Sequence, residues 1–223
     1  MLDGLLALLA PHHCYSCGLT GTLLCEKCKK HIMATSFRDC VVCGRPTTEN
    51  NCQRHRLPYQ QAYVVSPRQG VVARLLDDLK FQRVQAAAYT AAELLEARLP
   101  VLHPQTVIVP IPTIARHVRR RGYDHMKLIG RAISRRRRLP MRCLLRRRTN
   151  VTQHVAATAV QRRRQAQRFF RVVGQIDDQA RYLIIDDIFT TGSTIKAAAT
   201  ALRQAGARYV DIAVVARQEI THS

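Results

Sequence analysis

Tyr182-Leu183-Ile184-Ile185-Asp186-Asp187-Ile188-Phe189-Thr190-Thr191-Gly192-Ser193-Thr194 carries more structural information than any other part of the chain. An apolar run leads into two adjacent carboxylates, two further apolar residues follow, and a turn rich in hydroxyls closes the segment. Such a run bounded by a turn reads as a buried strand that delivers Asp186 and Asp187 to its C-terminal edge. The turn Thr190–Thr194 then opens a helix, with Ser193 or Thr194 expected to cap it. Backbone N–H groups and hydroxyls at a helix start form a cradle for phosphate. The carboxylates beside it can accept hydrogen bonds from the vicinal hydroxyls of a sugar. Ribose carrying phosphate is therefore the ligand these residue types suggest, since idle carboxylates beside a core strand would only cost stability.

The same stretch resembles the phosphoribosyl-pyrophosphate (PRPP) motif of type I phosphoribosyltransferases. That motif has four apolar residues, two acids, two apolar residues and a Thr/Gly/Ser turn, and order, composition and context all agree.

The remainder of the chain supplies a matching scaffold. Ala62–Ser66, Thr106–Ile111, Met141–Leu145 and Val210–Ala216 read as strands. Val71–Phe81, Val84–Leu99, the segment after Gly122 up to Arg138, and Thr194–Ala205 read as helices, the last stopped by Gly206. Strands alternating with helices imply an α/β domain with a mostly parallel sheet flanked by helices. Ligands of such sheets gather beyond the C-terminal ends of the strands, where Asp186–Thr194 would lie. Residues 147–170 are polar and basic and read as a long loop or an exposed helix. The expected division is 1–57 for an N-terminal helix and cysteine module, and 58–223 for the α/β domain.

Seven of the eight cysteines lie within residues 14–52, six of them in C-x-x-C pairs. Repeated pairs point to metal in a reducing compartment rather than to disulfides. Cys14, Cys17, Cys25 and Cys28 form one quartet; Cys40, Cys43, Cys52 and His55 form the other. Each C-x-x-C grips one ion with two thiolates, and two knuckles complete a tetrahedral shell, as zinc prefers. With every position filled by protein, the metal would be structural. Pairing in succession gives two ribbons; crossed pairing would join Cys14 and Cys17 to Cys40 and Cys43, and the short spacers favour succession. Cys143, in an apolar stretch, reads as a buried strand thiol.

Charge is concentrated. The chain carries 36 Lys and Arg against 15 acids, a formal net charge of +21. Residues 113–172 hold 19 of the basic residues and a single acid, Asp124. A contiguous basic segment implies a polyanionic partner. With aromatics at 5% and no Trp, contact with a nucleic-acid backbone is favoured over base stacking. No apolar stretch approaches the roughly 20 residues of a bilayer span. Met1–Pro11 lacks a basic leader and reads as a docking helix with Leu2, Leu5, Leu6 and Leu9 on one face.

Taken whole, the chain resembles the ComF family, linked to natural competence. The double cysteine set resembles that family's double zinc ribbon, and Leu79-Lys80-Phe81 its Leu-Lys-Tyr-like segment. Val109-Pro110-Ile111-Pro112, followed by Arg121-Gly122-Tyr123-Asp124-His125, resembles its Pro-x-Pro and Arg-Gly-aromatic elements. Ala216-Arg217 resembles its terminal Ala-Arg. One departure lies in the loop from Gln153 to Phe169, where Gln161 and Arg164 replace the usual Arg and Asn. The resemblance implies a type I phosphoribosyltransferase-like fold and a cytoplasmic role in DNA uptake, handling single-stranded DNA beside the uptake machinery. In that reading PRPP binds with magnesium, its phosphate on Thr190, Thr191, Gly192, Ser193 and Thr194 and its hydroxyls on Asp186 and Asp187. The Pro110–Thr113 turn, with Pro112 and Thr113, would hold pyrophosphate, and Arg121 would reach it. No hood for an acceptor base is legible, so turnover stays open. Two other readings remain: a nucleotide-salvage phosphoribosyltransferase, and a non-enzymatic zinc-ribbon protein that binds nucleic acid.

Overall fold

The structure is a computed structural model that describes residues 11–47, 50–82, 84–148 and 169–219. In chain order its elements are α1 (Glu26–Ala34), β1 (Ala62–Pro67), α2 (Gly70–Phe81), α3 (Gln85–Arg98), β2 (Thr106–Pro110), α4 (Ala115–Arg121), α5 (His125–Arg137), β3 (Leu145–Arg147), β4 (Phe170–Val172), β5 (Arg181–Phe189), α6 (Ser193–Gln204) and β6 (Tyr209–Arg217). The β-branched, nearly continuous apolar runs of β1, β2, β5 and β6 suit strands covered on both faces. They form one four-stranded sheet in the order β1-β6-β5-β2, parallel throughout.

Alternation along each strand divides the core into two layers. Leu183 and Ile185 of β5 pack with α2, α3 and α5 through Leu75, Leu79, Ala91, Leu95, Ile129 and Ile133. Tyr182 and Ile184 face the opposite side, against Ile195, Ala198 and Leu202 of α6 and against Leu145 and Phe170. Gly130 lets α5 settle close to the sheet: a Cβ there would lie 2.7 Å from Met141 Sδ and 3.3 Å from Ile185 Cδ1.

Several elements differ from the sequence reading. Gly122, at φ 85°, ends a short helix, α4, and Asp124 caps the next one by accepting from the Lys127 N–H, so the basic stretch holds two helices. Met141 makes an isolated bridge with Ile108, and the strand proper starts only at Leu145. Between them Leu144 and Leu145 take the buried places, which turns Cys143 outward; it is exposed rather than a buried strand thiol. β3 pairs antiparallel with β4, so the two ends of the segment read as loop or helix form a small hairpin. Its interior, with Gln153, Gln161 and Arg164, lies outside the described residues, as does the helix expected over Leu2–Leu9.

The cysteine module covers one edge of the sheet. The Phe37 N–H donates to the Val65 carbonyl of edge strand β1 at 3.2 Å, and Arg98 joins the Val64 carbonyl to the Asn50 side chain at 2.9 Å each. Among the described residues no helix is long and apolar enough to cross a membrane.

Candidate functional site

Register brings the site together at one rim. Pro110 of β2 lies opposite Ile185 of β5, and the Ile111 N–H donates to the Ile185 carbonyl at 3.0 Å. The loop after β2 therefore rises beside Asp186. Pro112, Thr113, Arg121, Asp186 and Asp187 line a single cleft of about 230 Å³, with Lys80, His125 and Arg147 completing its charged wall. Thr190–Thr194 are not part of that wall; they continue the chain past it. Thr190, Thr191 and Ser193 are exposed there, with the Thr191 and Ser193 hydroxyls 3.0 Å apart.

Strand alternation sends the two acids to different neighbours. Asp187 follows the phase of Leu183 and Ile185 toward α2 and α5. Its Oδ2 accepts from Lys80 Nζ at 2.8 Å and His125 Nε2 at 2.9 Å. Arg121 Nη1 lies 2.9 Å from His125 Nδ1. A guanidinium only donates, so Nδ1 accepts and the imidazole proton sits on Nε2, facing Asp187. Arg121 Nε donates to the Lys80 carbonyl at 2.6 Å, which ties the end of α2 to the same chain of contacts. Thr113 Oγ1 lies 3.4 Å from His125 Nδ1 and donates to Asp124 Oδ1 at 2.8 Å. Arg121 is buried and braced between Lys80 and His125 while still lining the cleft.

Charge is divided unequally between the acids. Burial opposes ionisation of Asp187, but the His125 hydrogen bond and the Lys80 charge outweigh it and hold the carboxyl well below the usual carboxylate range. For Asp186, burial and repulsion from Asp187 prevail over the Asp187 N–H and the charges of Lys80 and Arg147. Its carboxyl is pushed up to about 7. Among the described residues Asp186 makes no ion pair, and its Oδ1 accepts from the Asp187 N–H at 3.0 Å. Arg147 is held near it by donating to the Pro112 carbonyl at 2.8 Å.

The elbow departs from expectation at its cap. Neither Ser193 nor Thr194 caps α6; Gly192 does, in the left-handed region at φ 73°, with no side-chain cap. A Cβ at Gly192 would lie 2.2 Å from Cζ of the Phe189 ring, so the space a larger residue needs is already filled.

Both cysteine quartets assemble in succession, which excludes crossed pairing. The ligand atoms of Cys14, Cys17, Cys25 and Cys28 lie within 4.8 Å of one another, as do those of Cys40, Cys43, Cys52 and His55. Cys17 and Cys25 sulfurs are 3.6 Å apart, and those of Cys43 and Cys52 are 3.7 Å apart. A tetrahedral zinc with bonds of about 2.3 Å sets its sulfurs about 3.8 Å apart, whereas a disulfide needs about 2.05 Å. Among the described residues the buried His55 Nε2 has no hydrogen-bond partner, as fits a nitrogen meant for an ion. The two clusters thus have the donors and spacing to hold zinc.

Sequence reasoning gave His125 and Arg147 no role and Lys80 no firm one. Lys80 lies in Leu79-Lys80-Phe81 and His125 in Arg121–His125, but only the fold brings them to Asp187. Arg147 was one arginine among many.

Comparison with known proteins agrees with this geometry. Residues 146–222 match the phosphoribosyl transferase domain family. The DNA utilization protein YhgH of Escherichia coli (strain K12) is 28% identical over 225 residues, covering 92% of this chain and 96% of its own length. Competence protein F of Haemophilus influenzae is 24% identical over 208 residues, covering 87% of this chain and 90% of its own. A solved structure of the allosteric regulatory enzyme of purine biosynthesis aligns with 57% of this chain and 25% of its own at 18% identity and a TM-score of 0.41, too slight a likeness to argue from. From the paired cysteines to the acidic rim the chain runs the length of these relatives, and the likenesses together support a ComF-like, phosphoribosyltransferase-like protein.

Proposed function

We propose that the rim site binds PRPP or a related ribose phosphate, in the cytoplasm, in the service of DNA uptake. The observation that carries this reading is the continuity of the site. Asp186 faces a cleft rich in cations, and the same strand runs on into an exposed hydroxylated turn at a helix start. The turn takes the 5′-phosphate through backbone N–H groups and the Thr191 and Ser193 hydroxyls. Asp186 accepts from the ribose hydroxyls. Lys80 and Arg147 face the pyrophosphate, with the Pro112–Thr113 loop beside them. Lys80 is held in place by Asp187, Asp187 by His125, and His125 in turn by Arg121. Magnesium, a hard cation that takes oxygen ligands, would come with the diphosphate and offset its charge, and the Asp186 carboxylate would be the residue to hold it. Were an acceptor bound, the cations would stabilise the departing pyrophosphate without a covalent nucleophile.

A second partner is favoured by a neighbouring groove of about 1050 Å³ that shares Pro112, Thr113 and Arg147 with the cleft. Arg116, Arg119, Lys127, Arg146 and Arg148 line it, and its single acid, Asp124, is taken up by Thr113. The groove suits the phosphate backbone of single-stranded DNA. The names of the relatives, a DNA utilization protein and a competence protein, support the same role.

Thermal shift tests the first reading. The melting temperature should climb with Mg-PRPP concentration above the dissociation constant, and less so with free adenine or uracil. No shift with PRPP would remove the proposed ligand.

A further inference from the structure

The terminal Ala216-Arg217 pair has no part in the site as described, yet Arg217 is only 6% exposed at the end of β6. A buried guanidinium is costly unless its donors are used. Arg217 Nε donates to the Val41 carbonyl at 2.6 Å. Nη1 reaches the Phe189 carbonyl at 3.4 Å and also donates to the Gln218 carbonyl. The guanidinium carbon lies 5.3 Å from the centre of the Phe189 ring, within cation–π range. The Gln218 N–H ties the same place together by donating to the Phe189 carbonyl at 2.9 Å.

The two ends of this contact matter. Val41 stands inside the Cys40-x-x-Cys43 knuckle, and its own side chain is wholly buried in the same apolar cluster as Phe189. Phe189 supports the elbow from beneath, where its ring fills the space a Cβ of Gly192 would need. A continuous path of packed and hydrogen-bonded groups thus leads from the second metal knuckle through Arg217 and Phe189 to the turn that opens α6. The first quartet makes no hydrogen bond to Arg217 or Phe189 among the described residues. It packs on the other face of the sheet, where Tyr15 donates to Asp78 of α2 at 2.5 Å.

We infer that the Cys40–His55 knuckle and the Thr190–Thr194 elbow form one mechanical unit joined by Arg217 and Phe189, so that metal in the knuckle stiffens the elbow. When the knuckle is filled, the Val41 carbonyl is fixed and Arg217 has its partner. When it is emptied, the carbonyl swings, the buried cation loses its acceptor, and the ring beneath Gly192 loses its cover. Arg217 is a positioning residue in this scheme and touches no ligand. Coupling of this kind is reciprocal: a ligand on the elbow tightens metal in the knuckle by the factor with which metal tightens the ligand. That last consequence rests on the reading of the elbow as a phosphate site; the stiffening itself does not.

Hydrogen exchange on the full chain reads the coupling directly. Amides of residues 190–195 should exchange about tenfold faster in Arg217→Met and in His55→Ala than in the zinc-loaded parent, and at the parental rate in Cys17→Ser. Parental exchange in Arg217→Met and His55→Ala overturns the inference, and so does equal acceleration in Cys17→Ser, which would mark general loosening. Should His55→Ala fail to fold, Arg217→Met decides alone, with zinc content confirming that both knuckles are filled. Calorimetry then adds the ligand: PRPP should bind about fivefold to tenfold more weakly to Arg217→Met. Unchanged affinity despite a faster elbow would sever the elbow from phosphate binding. No PRPP binding by the parent would leave the coupling standing and remove the function proposed for the site.

Discussion

Asp186 and Asp187 are neighbours in sequence with opposite tasks. Asp187 is the internal counter-ion, bound by Lys80 and His125 and kept ionised. Replacing it with Ala strands two donors in a largely buried place, and urea unfolding should show a loss of about 3 kcal/mol. Asp186 has no ion-pair partner among the described residues, and its raised pKa makes a signed prediction. Its folded pKa of about 7 lies above the value of about 4 expected in the unfolded chain. The wild type therefore loses stability as pH climbs from about 4 through 7, because the unfolded chain releases that proton more readily. Asp186→Asn should remove this decline: it should melt higher than the wild type at pH 8 and gain nothing at pH 4. A parallel decline in both proteins would show that the carboxyl is not the group responsible. The sequence disclosed where the acids lie, because an apolar run must end at a rim. It did not disclose their division of labour, since Lys80 and His125 approach Asp187 only through the packing of α2 and α5 on the sheet.

At the scale of elements, the elbow is constrained from two sides. Gly192 combines a left-handed backbone with a ring beneath it. Gly192→Ala should cost about 3 kcal/mol by denaturant unfolding, from backbone strain and overpacking together, and a cost near zero would mean that the ring moves aside freely. The four sheet strands were legible because continuous β-branched runs have few other uses. α1 was not, since Glu26–Ala34 is interrupted by Cys28, whose spacing signals metal rather than helix. The β3–β4 hairpin escaped notice because Arg146 and Arg171 sit directly opposite one another, outward-facing and exposed, and so hide the alternation that marks a strand. The helix cap differs for a related reason: side-chain preference points to Ser193 or Thr194, while the packing of Phe189 demands glycine at 192.

For the whole molecule, the cysteine module and the basic face bear on separate properties. The module covers edge strand β1 through the Phe37–Val65 hydrogen bond and has little apolar core beyond what it shares with the sheet. A chelator strong enough to strip zinc should lower the melting temperature by several degrees and expose that edge, seen as concentration-dependent association. The groove of Arg116, Arg119, Lys127, Arg146 and Arg148 should make oligonucleotide binding steeply salt-dependent. Five single-strand phosphate contacts predict a loss of about 100-fold in affinity between 50 and 200 mM salt, and Arg116→Ala with Arg119→Ala should flatten the slope. The function proposed for this chain needs the acidic rim and the adjoining elbow to act as one ribose-phosphate site. The most direct measurement is a calorimetric titration of Mg-PRPP into the wild type and into Asp186→Ala. Saturable one-site binding in the wild type, weakened at least about tenfold in the variant, is the predicted result. Absence of binding by the folded wild type, or equal affinity in the two proteins, would contradict it.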